Sequence, residues 1–147
     1  MKTFDPAERE AGLTAEEASG RMVFWQDPTR LTPEIQRQLA DFVAAGGTLV
    51  LALSAGSPEL SALVAKWGVE LSPRRAGQEG TFHFGGFDFS HPALARMRDW
   101  SLNGWFDVLF FRIVTVKLPP GTRVLAAFDN GCPAVAEITA GRGRVLV

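Results

Sequence analysis

The segment from Thr32 to Leu53 constrains the fold more than any other. Thr32 is a good helix N-cap, and Pro33 suits the first helical position, where its missing N–H costs nothing. Ile35, Leu39, Phe42 and Val43 then recur at helical spacing and make one apolar face. Gly46-Gly47 ends the helix, because glycine enters the left-handed region without a Cβ clash. Thr48-Leu-Val-Leu-Ala-Leu53 follows at once. A near-continuous apolar run of this kind predicts a strand covered on both faces, as in a parallel sheet.

The same grammar repeats on both sides. Arg21-Met-Val-Phe-Trp25 reads as a short buried strand closed by Asp27-Pro28. Ser57 and Pro58 open a second helix, with Leu60, Leu63, Val64 and Trp67 as its buried stripe and Gly68 as its stop. Val69-Glu70-Leu71 reads as a third strand. Strand, helix, strand, helix, strand with short links predicts parallel crossovers with helices packed on the sheet.

The second half changes character. Thr81 to Phe89 alternates around Gly85-Gly86 and predicts a hairpin, with Phe82, Phe84, Phe87 and Phe89 on one face and His83 exposed. Pro92 to Trp100 reads as a short helix and Val108 to Val116 as a strand. Thr122–Phe128 and Ala134–Ile138 are strands joined by an Asp129-Asn130-Gly131 turn. Arg144 opens a last strand in which the sequence ends, which reads as a piece of a longer protein. The expected organisation is an arm or short helix over residues 1–20 and one α/β domain over 21–147.

Composition narrows the function. Fifteen Lys and Arg against 16 Asp and Glu leave a formal net charge of -1, which offers no electrostatic pull toward nucleic acid or an anionic membrane. The single cysteine, Cys132, excludes an internal disulfide. No apolar run approaches the roughly 20 residues that span a bilayer. The polar amino terminus is unlike a signal peptide. The isolated chain therefore reads as a soluble domain, cytoplasmic as it stands and without membrane contact of its own.

Three stretches taken in order carry a resemblance: LTPEIQRQLADFVAAGGTLVLALSAG, FSHPALARM and LPPGTRVLAAFDNGCPAVAEITAGRGRVLV. Over Arg21 to Val147 they resemble the class I glutamine amidotransferase-like domain of BatA-like, aerotolerance-type bacterial membrane proteins. More distantly they resemble ThuA-like proteins. The resemblance implies a three-layer, flavodoxin-like α/β sandwich, with parallel strands in the first half and antiparallel strands added in the C-terminal half. It also implies a parent assembly associated with a membrane. The von Willebrand A-like metal signature Asp-x-Ser-x-Ser is absent, and the superfamily's usual first strand is missing or replaced by the amino-terminal arm.

An active amidotransferase needs a cysteine on a strand-to-helix turn, activated by a histidine and a carboxylate. Here that turn carries Ser54, and no histidine follows His91. The expectation is a non-catalytic domain for protein interaction or ligand sensing. The enzymatic alternative is a hydrolase using Ser54 with His83 or His91 and Asp27. A third is a small-anion site at the turn Ser54-Ala55-Gly56-Ser57, with Asp27 across the same crevice, because open parallel sheets bind ligands beyond the carboxyl ends of their strands. No spacing of His and Cys fits a metal, and no cofactor is implied. The aromatic inventory is 11 Phe, four Trp and no Tyr. Trp100, Trp105, Phe106, Phe110 and Phe111 crowd one region, which predicts an interface with a protein partner or a second copy.

Overall fold

A computed structural model describes residues 22–26, 31–53, 57–72, 78–99 and 103–147. Their elements are β1 (Met22–Trp25), α1 (Pro33–Ala44), β2 (Thr48–Leu51), α2 (Pro58–Ala65), β3 (Glu70–Leu71), β4 (Gln78–Phe82) and β5 (Phe84–Phe87). They continue with α3 (Pro92–Ala95), which runs into a 3-10 turn (Arg96–Asp99), α4 (Asn103–Phe106), β6 (Phe110–Ile113), β7 (Val116–Lys117), β8 (Arg123–Phe128), β9 (Pro133–Ala140) and β10 (Gly143–Leu146). The molecule is a mixed α/β domain. Its main sheet has the order β1-β2-β10-β9-β8-β5, beside two small ladders, β3-β7 and β4-β6. The expected arm at 1–20 lies outside the described residues.

Helix α1 forms as its sequence dictates. The Thr32 Oγ1 accepts the Ile35 N–H at 3.3 Å, which satisfies one of the donors a helix start leaves open. Its buried residues are Ile35, Leu39, Phe42 and Val43. Gly46 takes φ +113°, and a Cβ on Gly47 would enter the Phe42 ring, so the two glycines have different reasons to be there. Helix α2 is capped alike, with the Ser57 Oγ accepting the Leu60 N–H at 3.1 Å. Both helices share one core with Val23, Leu49, Leu51, Ile138 and Val145 of the sheet. Glu137 alternates with Ala136 and Ile138 along β9 and therefore faces the opposite side. There it meets His91, the residue that enters α3.

Strands β1 and β2 pair in parallel, as expected. The third parallel strand is not β3 but β10, which inserts between β2 and β9. Gly143 makes that insertion fit: it is buried, and a Cβ on it would collide with the carbonyl oxygens of Val43 and Gly47. Strand β3 is instead a two-residue antiparallel partner of β7, with exposed Glu70 opposite Lys117 at 3.2 Å. A charged, exposed residue suits that ladder and not a sheet interior. Antiparallel strands do dominate the second half, with β10 the exception.

Two further expectations are corrected. The 81–89 segment is no hairpin: β4 pairs with β6 and β5 with β8. Gly85 serves close approach, since a Cβ there would lie 2.8 Å from the Phe128 carbonyl oxygen. The register shift between Phe84 and Gly86 brings Phe84 and Phe87 together with centroids 4.9 Å apart, so the phenylalanines still gather. The expected strand from Val108 to Val116 is broken into β6 and β7, with Val108 and Leu109 exposed before it.

Candidate functional site

Parallel pairing brings the carboxyl ends of β1 and β2 to one edge, where the Ala52 N–H donates to the Trp25 carbonyl at 3.0 Å. Strand β10 runs the same way and delivers Leu146 and Val147 there. Beyond these ends lies a cavity of about 310 Å³. Val50, Leu53 and Leu146 line it from the parallel strands, Pro133 and Val135 from β9, and the 112–116 segment forms part of its wall. Among its described lining residues Arg112 is the charged one. The sequence reading places Asp27 and the Ser54–Ser57 turn at a crevice beyond the parallel strands.

Of the residues expected to build that crevice, Asp27, Ser54, Ala55 and Gly56 lie outside the described residues. Ser57 is described. Its hydroxyl accepts the Leu60 N–H and lies 3.0 Å from a Glu59 carboxylate oxygen, so it is engaged in starting α2.

His91 is 5% exposed. Its Nδ1 lies 3.2 Å from the Ala93 amide, and its Nε2 lies 3.1 Å from Glu137 Oε2. An amide N–H only donates, so Nδ1 must accept. The ring proton therefore sits on Nε2 and points to the carboxylate. Arg144 Nη1 approaches the same carboxylate at 3.6 Å. This ring caps α3 at one end and closes onto β9 at the other. His83 is half-buried rather than exposed, and its Nδ1 faces the Phe106 carbonyl oxygen at 3.0 Å. A carbonyl only accepts, so Nδ1–H donates there.

A third polar group lies beside the entry to α3. Ser90 Oγ donates to Asp88 Oδ1 at 2.5 Å, and Arg123 Nε donates to Asp88 Oδ2 at 2.7 Å. The Ser90 hydroxyl first, and Arg123 next, hold the Asp88 carboxyl below the usual aspartate range. Among the described residues no three His, Cys, Asp or Glu side chains converge on a metal position. No helix among them is long and apolar enough to cross a membrane.

Glu137 and Arg112 escaped the sequence reading. Glu137 left one signal, a single carboxylate inside the apolar run Ala134-Val-Ala-Glu-Ile138. Its partner is 46 positions away, a distance no local pattern bridges. Of the expected interface residues, Trp105 and Phe110 are half-buried, Phe106 is exposed, and Trp100 lies outside the described residues. Phe110 packs edge-on against Phe84 and Phe128 and so belongs partly to the aromatic core.

No protein-family model and no curated protein matches the chain. Solved structures do. A cytoplasmic protein from Salmonella typhimurium LT2 superimposes with a TM-score of 0.66 at 15% identity, over 89% of this chain and 60% of that one. An exo-beta-1,4-mannosidase from Opitutaceae bacterium strain TAV5 does so with a TM-score of 0.52 at 18% identity, over 86% of this chain and 20% of that one. A beta-galactosidase from Rahnella sp. R3 gives a TM-score of 0.52 at 16% identity, over 88% of this chain and 20% of that one. The chain thus spans three-fifths of the first protein and one-fifth of each glycosidase. Likeness at these identities defines the fold class, an α/β domain, and nothing of the chemistry.

Proposed function

We propose that this chain is a non-catalytic, flavodoxin-like domain of the amidotransferase type that senses a small ligand at the carboxyl edge of its sheet. The observation that carries this reading is the 310 Å³ cavity, whose described lining side chains are apolar except for Arg112. A volume near the lower end of about 300–1,000 Å³ is typical of small-molecule sites, and an apolar lining with one placed polar group is their usual character. The lining favours a ligand with a short aliphatic body and one anionic group. A membrane-associated assembly as the setting rests on the sequence resemblance alone.

The histidine geometry supports the non-catalytic side. A serine nucleophile needs an imidazole nitrogen free to take its proton. His91 spends Nδ1 on a backbone amide and directs the Nε2 proton at Glu137, and the described lining of the cavity includes neither histidine.

Thermal unfolding in the presence of butanoate, hexanoate and octanoate tests the reading. Saturating octanoate is expected to raise Tm by about 3 °C, the effect of about 1 kcal/mol of linkage in a chain of this size. Val135→Trp, which fills the cavity, should abolish the shift, and Arg112→Gln should reduce it while leaving the response to octanamide unchanged. A flat response to carboxylates, amides, phosphates, nucleotides and sugars alike would remove the ligand reading. Ester turnover lost in Ser54→Ala would replace it by the hydrolase.

A second reading, protein interaction, is favoured by one observation. Phe106, Val108, Leu109 and Phe111 expose apolar surface in one short segment, with Phe111 71% exposed. Monomers seldom leave such surface contiguous. Sedimentation should then show concentration-dependent association that Phe111→Glu abolishes; a strict monomer at high micromolar concentration would count against it.

A further inference from the structure

We propose that His91 is a proton-controlled helix cap, closing the entry of α3 when neutral and releasing it when charged, while its ring stays on the Glu137 carboxylate of the sheet. The inference rests on the placement of the ring's two nitrogens between two elements far apart in sequence. Nδ1 accepts from the Ala93 N–H at 3.2 Å, and Nε2 meets the Glu137 carboxylate at 3.1 Å. Caps made by hydroxyl groups, such as those of Thr32 and Ser57, do not titrate. A cap made by imidazole does, because an imidazole changes charge between about pH 5 and 8.

Protonation acts on one end of the ring. A proton from solvent takes the Nδ1 lone pair, so an N–H then faces the Ala93 N–H and the hydrogen bond between them is lost. At the other end Nε2 keeps its proton and goes on donating to the Glu137 carboxylate, and the contact becomes charge-assisted. The charged groups around the ring divide between these effects. Glu137 on β9 favours the imidazolium, while Arg144 on β10 shares that carboxylate and opposes it. Arg123 on β8, opposite Glu137 in register, is spent on Asp88 and Ser90. The Ala93 amide opposes charging outright. The cap is therefore made by the neutral ring and lost by the imidazolium. The release stays local to the entry of α3 because the carboxylate contact survives. Downstream, the turn keeps the Arg98 bond to the Phe89 carbonyl oxygen at 3.3 Å.

Amide exchange and imidazole nitrogen shifts, followed by NMR from about pH 8 down to about pH 5, decide the matter. The expected result is a ring protonated at Nε2 only at the higher pH. The Ala93 protection factor should fall about five- to thirtyfold at the lower pH, the worth of a lost cap. The Ile35 and Leu60 amides, capped by hydroxyls, should not change. In His91→Asn, whose cap oxygen does not titrate, the Ala93 response should vanish. A neutral ring protonated at Nδ1, an Ala93 amide indifferent to the titration of the ring, or an equal loss at Ile35 and Leu60 would overturn the proposal. The nitrogen shifts and the comparison of amides decide it in the native chain even where His91→Asn does not fold.

Discussion

Gly143→Ala is expected to destabilise the protein by about 3 kcal/mol, lowering Tm by about 9 °C in a chain of this length. The added methyl would collide with two backbone oxygens, those of Val43 and Gly47. Neither can retreat cheaply. The Val43 oxygen accepts the Gly46 N–H at 2.9 Å, and the Gly47 oxygen accepts the Arg144 N–H at 3.1 Å. A flexible side chain could yield, but a helix end and a strand start held by hydrogen bonds cannot, so overpacking works at its upper range. Gly86→Ala is the control, because nothing lies within 4 Å of the Cβ it would gain. Its effect should stay within about 0.5 kcal/mol. Urea midpoints that shift equally for the two variants, with unchanged slope, would show that β10 does not seat against α1 and β2 as described.

Leu39→Ala is expected to cost a similar amount, about 3 kcal/mol, for the opposite reason. Leu39 has no exposed surface and belongs to the core that α1 shares with α2 and the sheet. Removing its side chain loses the transfer energy and leaves a cavity that Val43, Leu63 and Val145, themselves fully buried, cannot collapse to fill. Phe111→Ala removes more carbon yet should change stability by about 0.5 kcal/mol or less, because that ring is 71% exposed. A denaturation series in which Phe111→Ala costs as much as Leu39→Ala would mean that the 106–111 surface is covered in solution.

How far the sequence could be read depended on the range of the interactions involved. Thr32 and Ser57 as caps, the stripe Ile35-Leu39-Phe42-Val43 and the stops at Gly46 and Gly68 were all legible, because caps, stripes and stops act within a few residues. The turn at Gly131, with φ +82°, was legible for the same reason. The Gly85-Gly86 pair misled. Glycine marks either a turn or a close approach, and only the Phe128 carbonyl lying against Gly85 distinguishes them. Val69-Glu70-Leu71 misled similarly, since two or three apolar positions do not say which strand they pair with. The cavity's apolar lining and Arg112 were not legible, because they come from segments far apart in the chain.

The amino-acid sequence by itself determined the two capped helices, the apolar strands β1 and β2 and their parallel pairing across α1, because each depends on periodicity and on end signals carried within the segment. Tertiary structure decided the rest. It placed β10 rather than β3 beside β2, closed the cavity with residues from 50–53 and from 112–147, and set His91 between Ala93 and Glu137. The physical reason is that pairing partners and buried contacts between distant residues are chosen by competition for the same space, and a bare Gly143 against two carbonyl oxygens settles that competition only once the chain has come together.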